Sequence, residues 1–178
     1  MNKIIACLLI TSLISACGWH LRGSTNLPTN IDSIFVTAED AHGALITEVK
    51  QLLKANNVIA ATEASAAPYS LVIVEERDDR RTAGVGSDAL TSAYQIILSV
   101  DYEIRNREGV LLAPMTTATN ARTYDYSAGN ASSASQEEAL LLREMRRDIA
   151  QQMLRRLQAV SMSMPANTSE TSDGQTAP

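Results

Sequence analysis

Cysteine and histidine are nearly absent from this chain of 178 residues: two of each occur, Cys7, Cys17, His20 and His42. Zinc sites and nucleophile–base triads draw on these residue types, and the two histidines have no third ligand or cysteine beside them. Aromatics are scarce too, with one Trp, five Tyr and one Phe. No apolar run is long enough to span a bilayer. The longest, Ile4 to Ile14, is interrupted by Thr11 and Ser12. As a helix its eleven residues rise ~17 Å, against a hydrocarbon core of ~30 Å. Net positive charge is missing as well. The formal charge is −5, which argues against non-specific nucleic-acid binding, a process that relies on a cationic face.

The short apolar run has the marks of an export signal. Lys3 supplies the basic n-region, and Leu13-Ile14-Ser15-Ala16 leads with small residues into Cys17. A cysteine directly after Ser-Ala is what a lipoprotein signal peptidase requires, because the thiol is lipidated before the cut. The expectation is a signal peptide over 1–16 and a mature chain that begins at acylated Cys17. A plain signal peptide with a chance cysteine, or a buried N-terminal helix, are the alternatives. One acyl chain holds a protein to a bilayer marginally, whereas a triply acylated cysteine is a permanent anchor. Gly18, rather than Asp, follows the cysteine, and that favours sorting to the outer membrane. The mature chain of 162 residues loses only Lys3 among charges, leaving 14 basic and 20 acidic residues, net −6. Cys7 leaves with the signal and Cys17 is consumed by lipid. No thiol then remains for a disulfide, and the domain must be held by its core.

Gly18, Gly23 and Pro28 break up a linker over 17–30. The domain follows over 31–162. Ile31 to Thr37 reads as a strand, and residues 42 to 56 as a helix with Leu45, Val49, Leu52 and Leu53 on one stripe, ended by Asn56-Asn57. Val58 to Ala61 is a short strand. Tyr69 to Glu76 is apolar on both faces and reads as central. Arg77 to Leu90 is polar, contains Gly84 and Gly86, and reads as a mobile loop. In Thr91 to Arg105, Tyr94, Ile96, Leu98, Val100, Tyr102 and Ile104 alternate with mostly polar residues, Ile97 excepted. Asn106-Arg107-Glu108-Gly109 supplies a hairpin turn into a Thr-rich strand, Val110 to Tyr126. There Pro114 belongs at the start, at a bulge or on an edge. Ser127 to Ser135 is a loop, and Ser135 with Glu138 has capping-box spacing for a helix to about Ala159. The apolar stripe of that helix is Leu142, Met145, Ile149, Met153, Leu157 and Val160. Ser163 to Pro178 reads as a disordered tail. The expected fold is α+β: a two-layer sandwich of order β-α-β-β-β-α, with a four-stranded mixed sheet, two helices on one face and a right-handed first crossover.

Little here supports catalysis. Gly84-Val85-Gly86 lacks a third glycine and the setting of a nucleotide fold. Asp78-Asp79 and Glu137-Glu138 are adjacent pairs whose side chains diverge, so they read as solvated surface. Arg77, Arg80 and Arg81 cluster, and arginine grips phosphate in a bidentate fork. The competing reading is a wet loop neutralised by Glu75, Glu76, Asp78 and Asp79. The residues imply no enzyme, no metal and no cofactor.

Three segments resemble the LptE family of lipopolysaccharide-assembly lipoproteins. They are Cys17-Gly18-Trp19-His20-Leu21-Arg22-Gly23 with Leu27-Pro28, the strand Thr91 to Val100, and the helix segment Arg143-Glu144-Met145 through Gln152 and Leu154 to Arg156. The resemblance implies a lipid-anchored outer-membrane protein that partners the β-barrel LptD. It would sit in that barrel's lumen as a plug, help the barrel assemble, bind lipopolysaccharide and help deliver it to the surface. Family members place basic residues in the loops before the long strand and before the last helix. Here Val85 to Ala93 and Ser127 to Ser135 carry none. That leaves Arg77, Arg80, Arg81 and Arg122 as candidate ligand contacts, with Cys17 as the lipid site. A general periplasm-facing envelope scaffold with another partner is the alternative, and a hydrolase a remote third.

Overall fold

The structure, a computed structural model, describes residues 31–163. The expected signal peptide, Cys17, His20, the linker and the tail after Ser163 lie outside these residues. Five strands and two main helices follow in order: β1 (Ser33–Ala38), α1 (Ala44–Ala55), β2 (Ile59–Ala61), β3 (Tyr69–Val85), β4 (Thr91–Asn106), β5 (Leu111–Asp125) and α2 (Ala131–Ser163). Single 3-10 turns at Ala64–Ala66 and Ala128–Asn130 join them.

The α+β sandwich stands, with one strand more than expected. The sheet is five-stranded, in order β2-β1-β3-β4-β5. All five strand segments read along the chain are in it, including the short Val58 to Ala61 segment as three-residue β2, which pairs parallel to β1 with Ser33 opposite Ile59. β1 also runs parallel to β3, while β3–β4 and β4–β5 are antiparallel. β3 is therefore central, as its two apolar faces require.

Period-two alternation builds the core. Ile34, Val36, Leu71, Ile73, Ile96, Leu98, Val100, Tyr102 and Ile104 are buried on one sheet face. Leu45, Ile46, Val49 and Leu53 of α1 close over it, as do Met145, Ile149, Ala150, Met153, Leu154 and Leu157 of α2. Leu142 and Val160, expected on the same stripe, are only partly buried against the core.

Two segments differ from expectation. Arg77 to Val85 is not a loop. It continues β3 as a long ribbon whose residues pair with β4 from Arg77 opposite Ser99 to Val85 opposite Thr91. Hydrophobicity gives no signal there because the ribbon is exposed on both faces. Cross-strand pairing and alternating charges hold it instead. The true hairpin loop is short. The Gly86 amide donates to the Leu90 carbonyl at 2.7 Å, and Ala89 takes a positive φ of 63°. Gly84 belongs to the strand, where an added Cβ would lie 3.0 Å from Ser92 Oγ at a register shift. Close approach, rather than loop flexibility, accounts for that glycine.

The second correction concerns α2. It begins at Ala131, so Ser135 lies inside it and donates to the Ala131 carbonyl at 3.0 Å instead of capping. The Ser- and Ala-rich start has weak hydrophobic periodicity, which hid the first turn. Pro114 sits on edge strand β5, where the β4 register shifts. Gly109, at φ 80°, closes the β4–β5 turn in the left-handed region that glycine enters without strain.

Candidate functional site: a polar sheet face and a tyrosine tip

One sheet face is covered by the helices and the other is open. The register sorts the four candidate arginines between them. Arg80 and Arg122 both pair with Ile96, whose side chain is buried under the helices, so they flank it on the helix side. Arg77 and Arg81 pair with Ser99 and Gln95 and face the open side. The expected cluster of three is thus divided across the sheet, because consecutive strand residues point to opposite faces.

Each of the four meets a carboxylate. On the open face Arg77 pairs with Glu75 and with Asp101, the latter at 2.8 Å. Arg81 pairs with Asp79 at 2.6 Å. On the helix face Arg80 reaches Glu138 of α2 at 3.1 Å and lies 4.8 Å from the centre of the Tyr94 ring. Arg122 reaches Asp148 at 2.9 Å. Glu138 is not solvated surface. It also accepts the Tyr124 hydroxyl at 2.5 Å, and its side chain keeps 26% exposure. Burial, then the bond to Glu138, raises the Tyr124 pKa. Hydrogen bonds with Tyr124 and Glu138 strengthen the cationic form of Arg80. Farther along the helix Arg146 pairs with Glu76 at 2.7 Å.

These contacts lead to a tyrosine cluster that the sequence reading did not single out. Tyr94 stands 5.0 Å from Tyr126, edge to face, and 6.0 Å from Tyr124. Tyr94 and Tyr126 line a cleft of about 600 Å³ between the β3–β4 loop and the 3-10 turn before α2. No Lys or Arg lines it. A signal was present: Tyr124 and Tyr126 are two apart, hence on one side of a strand, in a chain with few aromatics. His42 is exposed beside Asp40, which accepts its backbone N–H at 3.0 Å.

The open face carries a ladder of hydroxyls and charges. Thr117 donates to Asp101 at 2.5 Å, Ser99 and Thr119 are 3.3 Å apart, and Arg105 pairs with Glu103 at 2.6 Å. The Thr117 hydroxyl first, and Arg77 second, hold the Asp101 carboxyl below its ordinary pKa. A carboxyl lowered by folding stabilises the fold fully above the ordinary value of about 3.9, and that stabilisation disappears as pH falls through the lower folded value. Asp101→Asn therefore flattens the fall of the urea midpoint between about pH 5 and pH 2. A urea series across that range, wild type against variant, checks this, and parallel curves contradict it.

Comparisons with known proteins follow the same outline. The family model LptE, described as lipopolysaccharide-assembly, matches residues 31–157. The LPS-assembly lipoprotein LptE of Photorhabdus laumondii is 27% identical over 178 residues, covering 99% of this chain and 97% of its own. The one from Pectobacterium atrosepticum is 26% identical over 171 residues, covering 95% and 92%. Among solved structures, lipoprotein B from Nitrosomonas europaea superposes with a TM-score of 0.67 at 18% identity, covering 82% of this chain and 94% of its own. Rare lipoprotein B from Shewanella oneidensis does so with 0.65 at 20%, covering 73% and 96%. Those two likenesses concern the fold. A minor lipoprotein from Acinetobacter baumannii gives 0.59 at 28%, covering 72% and 91%. The relatives' names are those of assembly lipoproteins, not of enzymes. With a family match over most of its described residues, the chain belongs to the LptE lipopolysaccharide-assembly family.

Proposed function

We propose that this chain is an outer-membrane lipoprotein that plugs an LptD-type β-barrel, helps that barrel assemble, and binds lipopolysaccharide during delivery to the cell surface. The observation that carries the reading is the open face of the sheet. A five-stranded sheet normally buries both faces or solvates one. Here the uncovered face has half-buried Phe35, Val72 and Ile97 set among a ladder of Ser99, Thr117, Thr119, Asp101 and paired arginines. The lumen of an outer-membrane barrel is polar and takes such a surface without burying unpaired groups. No described helix is long and apolar enough to cross a membrane. In this reading the attachment is the acylated Cys17, as the relatives' lipoprotein names support.

Extraction in mild detergent tests the proposal. A tagged chain co-purifies with a large β-barrel, and its depletion lowers surface lipopolysaccharide. A chain recovered alone from cells that contain the barrel, or one bound to a different partner without a lipopolysaccharide defect, favours the envelope-scaffold alternative. Cys17→Ala abolishes acylation and releases the chain from the membrane fraction. Metabolic palmitate labelling of the variant at wild-type level overturns that expectation.

Arg77, Arg80, Arg81 and Arg122 are proposed as anion contacts. Reversing Arg80 and Arg81 together to glutamate lowers lipopolysaccharide affinity roughly tenfold, most clearly at low ionic strength where screening is least. Unchanged binding at low salt leaves these residues as surface pairs alone.

A further inference from the structure

The two edges of the sheet are unequal. β2 ends one side after three residues. β5 ends the other with fifteen. From Thr116 opposite Tyr102 to Asp125 opposite Ala93, β5 pairs with β4 in unbroken register. Among the described residues no strand pairs with its outer side.

Native proteins guard long edges with lysine, proline, bulges or inward charges, because a row of unpaired N–H and C=O groups templates another strand. β5 has such a guard only at Pro114 and the neighbouring register shift. The ten residues from Thr116 to Asp125 contain no Lys or Pro, and their one cation, Arg122, is held by Asp148. Thr117, Thr119, Ala121 and Thr123 keep the open-face side of the edge low and polar.

The occupant is constrained by α2. Asp148 accepts from Asn120 at 3.0 Å and from Arg122 at 2.9 Å, and Glu138 accepts from Tyr124. The helix therefore stands over β5 itself. In a twofold edge-to-edge pair the two copies of β5 would be antiparallel, about 4.8 Å apart. Both copies of α2 would then lie on the same face, closer than the 8–10 Å that packed helices need. A bare extended segment fits where a second copy does not. We propose that the Thr116–Asp125 edge of β5 receives an extended segment of the barrel partner as a sixth strand, a pairing that rests on the plug reading. Main-chain hydrogen bonds supply the affinity in this mode, and the small residues of the edge set what passes beside it.

Residue-resolved amide hydrogen exchange tests it, on the lipoprotein alone and on the barrel complex. In the free protein alternate amides of Thr116–Asp125 point outward and exchange fast. In the complex those amides slow at least ~100-fold while the inward ones keep their protection. The Tyr126 N–H donates to the Ser92 carbonyl, so in the unbroken register the even-numbered residues of β5 bond to β4 and Thr119 directs its N–H outward. Thr119→Pro leaves the thermal midpoint nearly unchanged and cuts barrel recovery about tenfold, since it removes an edge donor but no ladder bond. Outward amides that stay fast in a preparation containing the barrel overturn the inference while leaving the plug reading intact. Protection that appears in the isolated lipoprotein as its concentration rises assigns the edge to a second copy and also overturns it. A preparation with no barrel removes both readings together.

Discussion

Leu71→Asp leaves no cooperative unfolding transition. Leu71 is fully buried on central strand β3, between Val36 of β1 and Ile104 of β4, which are also buried. A carboxyl there has no cationic partner; forcing it to protonate costs several kcal/mol, and with about 2–5 kcal/mol of lost leucine packing the total rivals the roughly 5–15 kcal/mol that holds a domain of this size together. Leu71→Ala tells cavity from charge: it folds but loses about 2–5 kcal/mol. The next residue is a control built into the strand. Val72 points to the open face and is half-buried, so Val72→Thr costs under about 1 kcal/mol. Urea denaturation followed by far-UV circular dichroism measures all three. Equal losses at 71 and 72 contradict the assignment of the two faces.

The second large effect is on association rather than folding. Thr119→Trp with Ala121→Trp places two bulky rings on the open side of β5, where both residues are exposed. Neither side chain contributes to the core, so the stability change stays within roughly 1 kcal/mol. A surface that fits against a barrel wall at close packing does not accept such volume. The expected result is at least a tenfold loss of barrel recovered in mild detergent, from a variant with a wild-type melting curve. Full recovery of the barrel shows that the open face is not the contact.

Much of the architecture was legible because it rests on periodicity. The alternation from Tyr94 to Ile104 identified β4 and its buried face, and the stripe from Met145 to Leu157 identified α2. Asn106 to Gly109 fixed a turn. What failed had no apolar signature. Residues 77 to 85 are strand because β4 extends far enough to pair with them, and a partner's length is not readable from the segment itself. The start of α2 is Ala- and Ser-rich, so nothing in its pattern separates it from the loop before it.

The arginines show the limit more clearly. Their proximity in sequence suggested convergence, while strand geometry sends Arg80 to one face and Arg77 and Arg81 to the other. Arg77 and Arg81 find Glu75 and Asp79 two residues away, as the neutralised reading has it, but the partners of the other two lie far along the chain: Glu138 is 58 residues from Arg80, and Asp148 is 26 from Arg122. No spacing rule reaches across such separations. The adjacent pair Glu137-Glu138 suggests solvated surface, yet Glu138 joins Arg80 and Tyr124 beneath the tyrosine cluster.

The most direct measurement is a covalent one. A photo-crosslinking residue placed at Thr119 in growing cells reports what the open sheet face touches. The account predicts one adduct, with a large outer-membrane β-barrel, formed in good yield and lost when Cys17 is replaced by alanine. Irradiation that yields no barrel adduct, with the lipoprotein folded and lodged in the membrane, contradicts it.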